Sequence, residues 1–341
     1  MVHITDLTQP PVENHAFYEL TFGLNTLPTV EVARELGLFT LLEKQPATIS
    51  YVASELNVSQ RAAEAIMAVS AAMGFIKPGQ NEQFELSDSG HAYFLPDSPY
   101  YSGGHSEFSR ARVNEYFEVI KTAVVHDGDQ DKQLAVNIAE LPPEVIHSFI
   151  GNMHTLTLAA AAGLGQLDIF ENIGSILDVG GGSGSLSMAI VANNPNTQST
   201  IMDLEPIREI AASNVDEYSL SNRVSTITGD MFKDAWPTGH DAVLFGNIFH
   251  DWDVDSCQRL AQSAYDALPP GGTILLHEIL LDDDKSGPLM AANFSVTMLV
   301  YEKGKQYTFT ELKNMLETAG FTDCKVTKAF GYYSLVSATK K

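Results

Sequence analysis

The run Gly180-Gly181-Gly182-Ser183-Gly184 follows directly on the apolar segment Ile176-Leu177-Asp178-Val179. A strand that runs into such a turn can bend sharply and bring bare backbone against a ligand at a helix N-terminus. The dinucleotide fingerprint is not met: counted from Gly182 and Gly184, its third small residue would fall at 187, which is Ser. A Gly-Lys-Ser/Thr phosphate loop is missing too. Acidic residues close the next two apolar runs. Asp203, followed by Leu204, ends Ser199-Thr200-Ile201-Met202, and Asp230 stands in Gly229-Asp230-Met231-Phe232. A carboxylate at the first place can accept hydrogen bonds from both hydroxyls of an adenosyl ribose. Asp230 can accept from an adenine amino group while Met231, with Phe232 behind it, packs on the ring. The segment Asn247-Ile248-Phe249-His250-Asp251-Trp252-Asp253 follows a fourth apolar run. Each of these residues ends a strand, so together they would line the carboxyl edge of one sheet, where open α/β sheets bind ligands.

The elements needed to hold them there are legible from residue 174 onward. Strand-like and helix-like runs alternate: SILDVG, a helix from about 184, STIMDL, a helix from about 206, VSTITG, DAVLFGNI, a helix at 254–268, then TILLHEIL. Such alternation means a parallel sheet with helices on both faces. The runs DCKVTKAFG and YYSLVSAT read as two closing strands. The first half is helical. Residues 28–43 show helical spacing broken at Gly37, and Thr48-Ile49-Ser50 and Asn57-Val58-Ser59 each precede a short helix. FIKPG and QFELSDSG then read as a hairpin, which completes a winged helix. A groove-reading helix needs Arg, Lys, Asn or Gln aimed at base edges. The second helix here, QRAAEAIMAVSAAMGF, has Arg61 as its one cation and is suited to packing. Pro142-Pro143 can start a further, almost uncharged helix through residue 165.

DVGGGSG, the acidic end of the second strand, GDMF and NIFHDWD together resemble the class I S-adenosylmethionine (SAM)-dependent O-methyltransferases of the plant caffeate/hydroxyindole type, which include bacterial natural-product enzymes. The N-terminal VARELGLFTLL…ISYVASELNVSQRAAEAIMAVSAAMGFI…FELSDSG is similar to that family's winged-helix dimerisation domain. The resemblance implies an α/β fold: a Rossmann-like methyltransferase domain with a mostly parallel seven-stranded sheet at 166–341, a helical connector at 104–165, and a mainly α-helical winged-helix domain at 1–103. It implies SAM as donor, S-adenosylhomocysteine (SAH) as product, and a homodimer formed through the N-terminal domain. Asp178, Gly180, Gly182, Gly184, Asp203, Leu204, Asp230, Met231, Phe232 and Asn247 are the expected cofactor residues. His250 is the expected general base and Glu278 the carboxylate that orients it. Chemistry supports the base independently. A phenol ionises near pH 10 and an imidazole near 6.5, so a positioned histidine can take the proton as the methyl group moves. His277 should point away from Glu278 in a strand and is read as structural. Met153, His154, Asn293, Phe294 and Met298 are the candidates for the acceptor pocket.

Two positions depart from the family. Where it often has a glutamate near the base, this chain has Gln306, carried as a third catalytic position. Gln306 can hydrogen-bond but cannot balance an imidazolium by charge. Where plant members carry a lysine four residues before the histidine, this chain has Gly246. Asp251 and Asp253 have a plain reading as caps of the following helix. A metal is not expected.

Composition narrows the partners. The chain has 341 residues, with 43 acidic against 20 basic side chains and a net charge of −23. Polyanions and anionic membranes are therefore disfavoured, and the expected partner is a small-molecule acceptor. Two cysteines make no disulfide framework, and no basic leader or apolar span stands out, so a cytoplasmic enzyme is expected. The expected reaction is methylation of a phenolic or enolic hydroxyl of a secondary metabolite. N- or C-methylation, or use of SAM without methyl transfer, stays open as an alternative. A winged-helix regulator is the alternative outside enzymes.

Overall fold

The computed structural model describes residues 26–101, 138–283 and 288–341, together with Leu20 and Ala123. The chain divides into two compact units, Met1–Arg110 and Ala111–Lys341.

In the first unit, α1 (Thr26–Glu35) and α2 (Leu38–Lys44) are separated by Gly37, whose φ of 87° lies in the left-handed region that the turn requires. Then come β1 (Ala47–Thr48), α3 (Ile49–Glu55), α4 (Gln60–Ala72), β2 (Ile76–Pro78), β3 (Gln83–Leu86) and α5 (Asp88–Phe94). Thr48, Ser59 and Ser87 cap α3, α4 and α5, each accepting a backbone N–H of the first turn. The hairpin pairs β2 with β3, and β1 adds to the other side of β3, all antiparallel. The helix–turn–helix–hairpin order is the one expected from the sequence. α4 buries Ala63, Ile66 and Met67 against Leu38, Phe39 and Val52. The side chain of Arg61 lies outside the described residues.

In the second unit, α6 (Pro143–Leu164) opens with proline in its first turn. There follow β4 (Ser175–Val179), α7 (Ser185–Asn193), β5 (Gln198–Asp203), α8 (Glu205–Glu217), β6 (Val224–Thr228), β7 (Ala242–Gly246), α9 (Val254–Ala267), β8 (Thr273–Ile279), α10 (Leu289–Tyr301), α11 (Phe309–Thr318), β9 (Phe321–Lys328) and β10 (Tyr333–Lys340). The first half of the expected connector, up to residue 137, lies outside the described residues apart from Ala123. Its second half, α6, packs on α7 and α8 as part of the sheet unit.

The seven strands lie in the order β6-β5-β4-β7-β8-β10-β9. The five from β6 to β8 are parallel. β7 is apolar along its length, as a strand covered on both faces must be, and β4 is buried from Ile176 to Val179 with Asp178 as its one buried polar residue. On one face Leu177, Val179, Val243, Phe245, Ile274 and Leu276 meet α9 and α11. On the other, Ile176, Leu244 and Leu275 meet α6 and α7. The two closing strands are present, but β10 pairs antiparallel with both β8 and β9, so the later strand is the inner one. Among the described residues no helix is long and apolar enough to cross a membrane.

Candidate active site

β4 delivers the chain into the glycine turn. Gly180, Gly182 and Gly184 have φ of 68°, 58° and 82°, left-handed values that disfavour any side chain. A Cβ at Gly180 would also come within 2.5 Å of the Ile248 side chain, whereas at Gly182 it would meet open space. The turn is tied to β5: Gly182 N donates to Asp203 Oδ2 at 2.9 Å and Leu204 N to Oδ1 at 2.7 Å. Burial pushes the Asp203 carboxyl up to about 6, against the pull of these two amides. Asp178 lies fully buried beneath the turn. Ser187 donates to its Oδ2 at 2.6 Å and in turn contacts Ser199. Burial first, and Asp203 as a like charge, hold Asp178 up at about 7 despite the Ser187 bond.

A second group forms where β7 meets the 3-10 turn Phe249–Asp251. His250 Nδ1 is 2.7 Å from Glu278 Oε2. The other oxygen, Oε1, accepts the N–H groups of Ile248 and Phe249 at 3.1 and 3.0 Å. One carboxylate from β8 thus fixes both the turn and the ring carried by it. Burial opposes charge on the imidazole, but Glu278 and Asp251 outweigh it and raise the His250 pKa well above its usual value. The ring centroid of Phe294, on α10, lies 5.0 Å from that of His250.

The remaining expected residues divide. Asn247 takes a positive φ of 56° at the carboxyl end of β7 and its side chain bonds the Tyr333 hydroxyl. Asp230 turns inward on its own loop, accepting Phe232 N at 2.9 Å and pairing with Lys233 at 2.7 Å. Phe232 meets Trp252 edge-on, and Met231 packs on the same core. Gln306 is fully buried, its backbone N–H donates to Ser295 Oγ, and no hydrogen bond joins its side-chain amide to His250. His154 lies at the glycine turn, its Nδ1 3.1 Å from Ser183 Oγ and 2.8 Å from Ser185 Oγ. Met298 is buried, Met153 is half-buried and Asn293 is exposed. His277 is fully buried and stacks on Tyr333 at 4.6 Å, and burial lowers it to about 3. At Gly246 a Cβ would fall on the Leu186 side chain, which fills the space above that strand.

Three residues were missed. Asp253 caps α9 through Ser256 N, as read, but Asp251 turns instead to His250, with Oδ1 3.3 Å from Nε2. Its adjacency to the histidine was the available signal. Ser187 and Tyr333 carried none, because only the folded sheet brings them to Asp178 and Asn247.

A family model for the O-methyltransferase domain matches residues 140–322. The 3-hydroxy-5-methyl-1-naphthoate 3-O-methyltransferase of Streptomyces sahachiroi is 30 % identical over 91 % of this chain and 90 % of its own. The acetylserotonin O-methyltransferase of Bos taurus is 29 % identical over 94 % and 96 %. The crystal structure of human N-acetylserotonin methyltransferase in complex with SAM superposes with a TM-score of 0.78, at 23 % identity, over 97 % of this chain and 99 % of that one. Glycine turn, acidic strand end and sheet order define a Rossmann-like methyltransferase. The chain belongs to the SAM-dependent O-methyltransferase family.

Proposed function

We propose that this enzyme transfers the methyl group of SAM to a phenolic or enolic hydroxyl of a small secondary metabolite, with His250 as general base. The observation that carries this reading is the 2.7 Å contact of His250 with Glu278 on the sheet edge that also carries the glycine turn. The residues present fit the cofactor. Asp203 stands beside the turn with lone pairs for ribose hydroxyls, and open space above Gly182 admits a ligand against bare backbone. SAM, when bound, supplies an electrophilic methyl group on a sulfonium that leaves as a neutral sulfide.

Glu278 commits Nδ1, so Nε2 is the nitrogen that takes the acceptor proton. Glu278 also balances the imidazolium formed, and its two amide bonds keep it from rotating away. Phe294 sets one wall against the base, and the bulk of α10 supports an apolar acceptor ring. Asn247, held by Tyr333, and the Asp178–Ser187 pair support the cofactor side. The dimerisation role of the N-terminal unit and a reducing, cytoplasmic setting for the free Cys257 and Cys324 complete the reading.

His250→Ala is expected to lower kcat by about 10²–10⁴-fold while calorimetry still finds SAH binding one to one. Unchanged turnover removes His250 from the mechanism. Loss of SAH binding as well makes the residue structural.

A further inference from the structure

Both nitrogens of His250 face carboxylates, but the two carboxylates are held differently. Glu278 Oε2 lies 2.7 Å from Nδ1, and Asp251 Oδ1 lies 3.3 Å from Nε2. Side-chain exposure is 5 % for His250 and 3 % for Glu278, against 21 % for Asp251. Two backbone amides anchor Glu278. At Asp251 it is the backbone that is fixed. Its N–H donates to Ile248 O at 3.1 Å, its carbonyl accepts Lys303 N at 3.1 Å, and Gly304 lies flat on the His250–Trp252 backbone. Any rearrangement there is confined to rotation of the Asp251 side chain.

A base must offer a lone pair at the nitrogen that meets the acceptor. Nδ1 is committed, so that nitrogen is Nε2, which Asp251 touches. We propose that Asp251 is the proton relay of this site: it holds Nε2 in the free enzyme, takes its proton, and turns toward solvent as the acceptor hydroxyl takes its place. The inference rests on the reading of His250 as base. In the transfer, the hydroxyl proton passes to Nε2 and the oxygen pair forms the new O–C bond. The C–S bond breaks with its pair on sulfur. The proton then leaves the buried ring through the part-exposed Asp251 to water.

Among the described residues the surroundings leave this task to residue 251. β8 contributes Glu278, already bound, and α9 contributes Cys257, whose thiol is raised by burial and donates to Phe249 O. α10 presents Phe294, which carries no charge. In the 303–307 segment Lys305 pairs with Glu311 at 2.6 Å, Lys303 acts on Asp253, Tyr307 donates to Trp252 O, and Gln306 is neutral. β10 contributes Tyr333, pushed up to about 12 by burial. With Gln306 neutral, the carboxylates against the imidazole among the described residues are Glu278 and Asp251.

Asp251→Asn removes the charge and keeps the shape. In ¹⁵N-histidine-labelled enzyme without ligand, the His250 titration midpoint should fall by about one unit or more. The acidic limb of kcat/KM should move down with it. The plateau kcat should fall about tenfold, because the ring proton loses its way out, and Asp251→Glu should restore both. Thermal unfolding of the Asn variant checks that it is folded. A midpoint and acidic limb that do not move in the folded variant overturn the relay. Full turnover in His250→Ala overturns the base reading and the relay together, whereas the ring titration in Asp251→Asn reports the Nε2 contact whether or not the enzyme turns over.

Discussion

Asp203 accepts an amide on each oxygen, one from Gly182 and one from Leu204, yet burial still holds its carboxyl near 6. Its folded-state value therefore lies above the 3.8 of a free carboxyl, as does that of Asp178 at about 7. A group raised in this way contributes stability that is full below its unfolded value and lost as pH rises through its folded value. Taken by themselves these two carboxyls should draw stability down between about pH 4 and pH 7, so the denaturant midpoint of Asp178→Asn should fall less across that range than that of the parent. Ligand binding should run the other way. Ribose hydroxyls need an ionised acceptor, so SAH affinity should weaken as pH falls below about 6. Asp203→Asn should bind about 10–100-fold more weakly at neutral pH, in keeping with roughly 1.5–3 kcal/mol for hydrogen bonds to a charged group, and its affinity should lose the pH dependence. Equal SAH affinity at pH 5.5 and 7.5 in the unmodified enzyme would sink this account. His277 makes the contrast. Burial lowers it to about 3, below its unfolded value of 6.5, so over this range the unfolded chain takes up its proton while the folded one does not, and this site pulls stability upward as pH rises.

At the scale of elements, two joints set the geometry of the site. α11 starts from a full capping box, with Thr308 accepting from Glu311 N and Glu311 accepting from Thr308 N, and Tyr307 immediately before it donates to Trp252 O beside the His250 turn. Thr308→Ala should cost about 1 kcal/mol, read as a lowered Tm with SAH binding retained. The second joint is the contact of β7 with α7 at Gly246. Gly246→Ala drives a methyl group into Leu186, and overpacking of this kind costs about 1–3 kcal/mol, so a Tm equal to that of the parent would contradict the packing described. The parts of the site legible in the sequence were those whose chemistry is local. The glycine turn, Asp203 and the histidine after β7 each sit at the end of an apolar run, and the alternation of runs alone puts them on one edge. Distances across the fold were not legible. Asp251 and Asp253 look alike as acids ahead of a helix, and only the path of the 3-10 turn separates a cap from a partner of His250. His154, expected at the acceptor, reaches Ser183 and Ser185 because α6 packs along α7. The capping box of α11 is legible in the sequence as Thr308-x-x-Glu311.

For the molecule as a whole, the sheet order was the least accessible property. Two closing strands could be seen in the sequence, but not that the second lies inside the first. A net charge of −23 makes non-specific binding to DNA unfavourable, and a gel shift at low salt should show no retarded band. If the N-terminal unit dimerises as proposed, sedimentation should give twice the mass of one chain at micromolar concentration. A monomer there would remove the dimer from the functional reading. The position of β10 bears on how the protein is made. β9 leaves the ribosome first but, among the described residues, has no neighbour in the sheet except β10. Until β10 follows, the flank of β8 is an open row of amides and carbonyls, the kind of edge that invites other chains to pair with it. The β9–β10 hairpin therefore covers that flank, and a chain cut after residue 328 should aggregate more readily than the intact one.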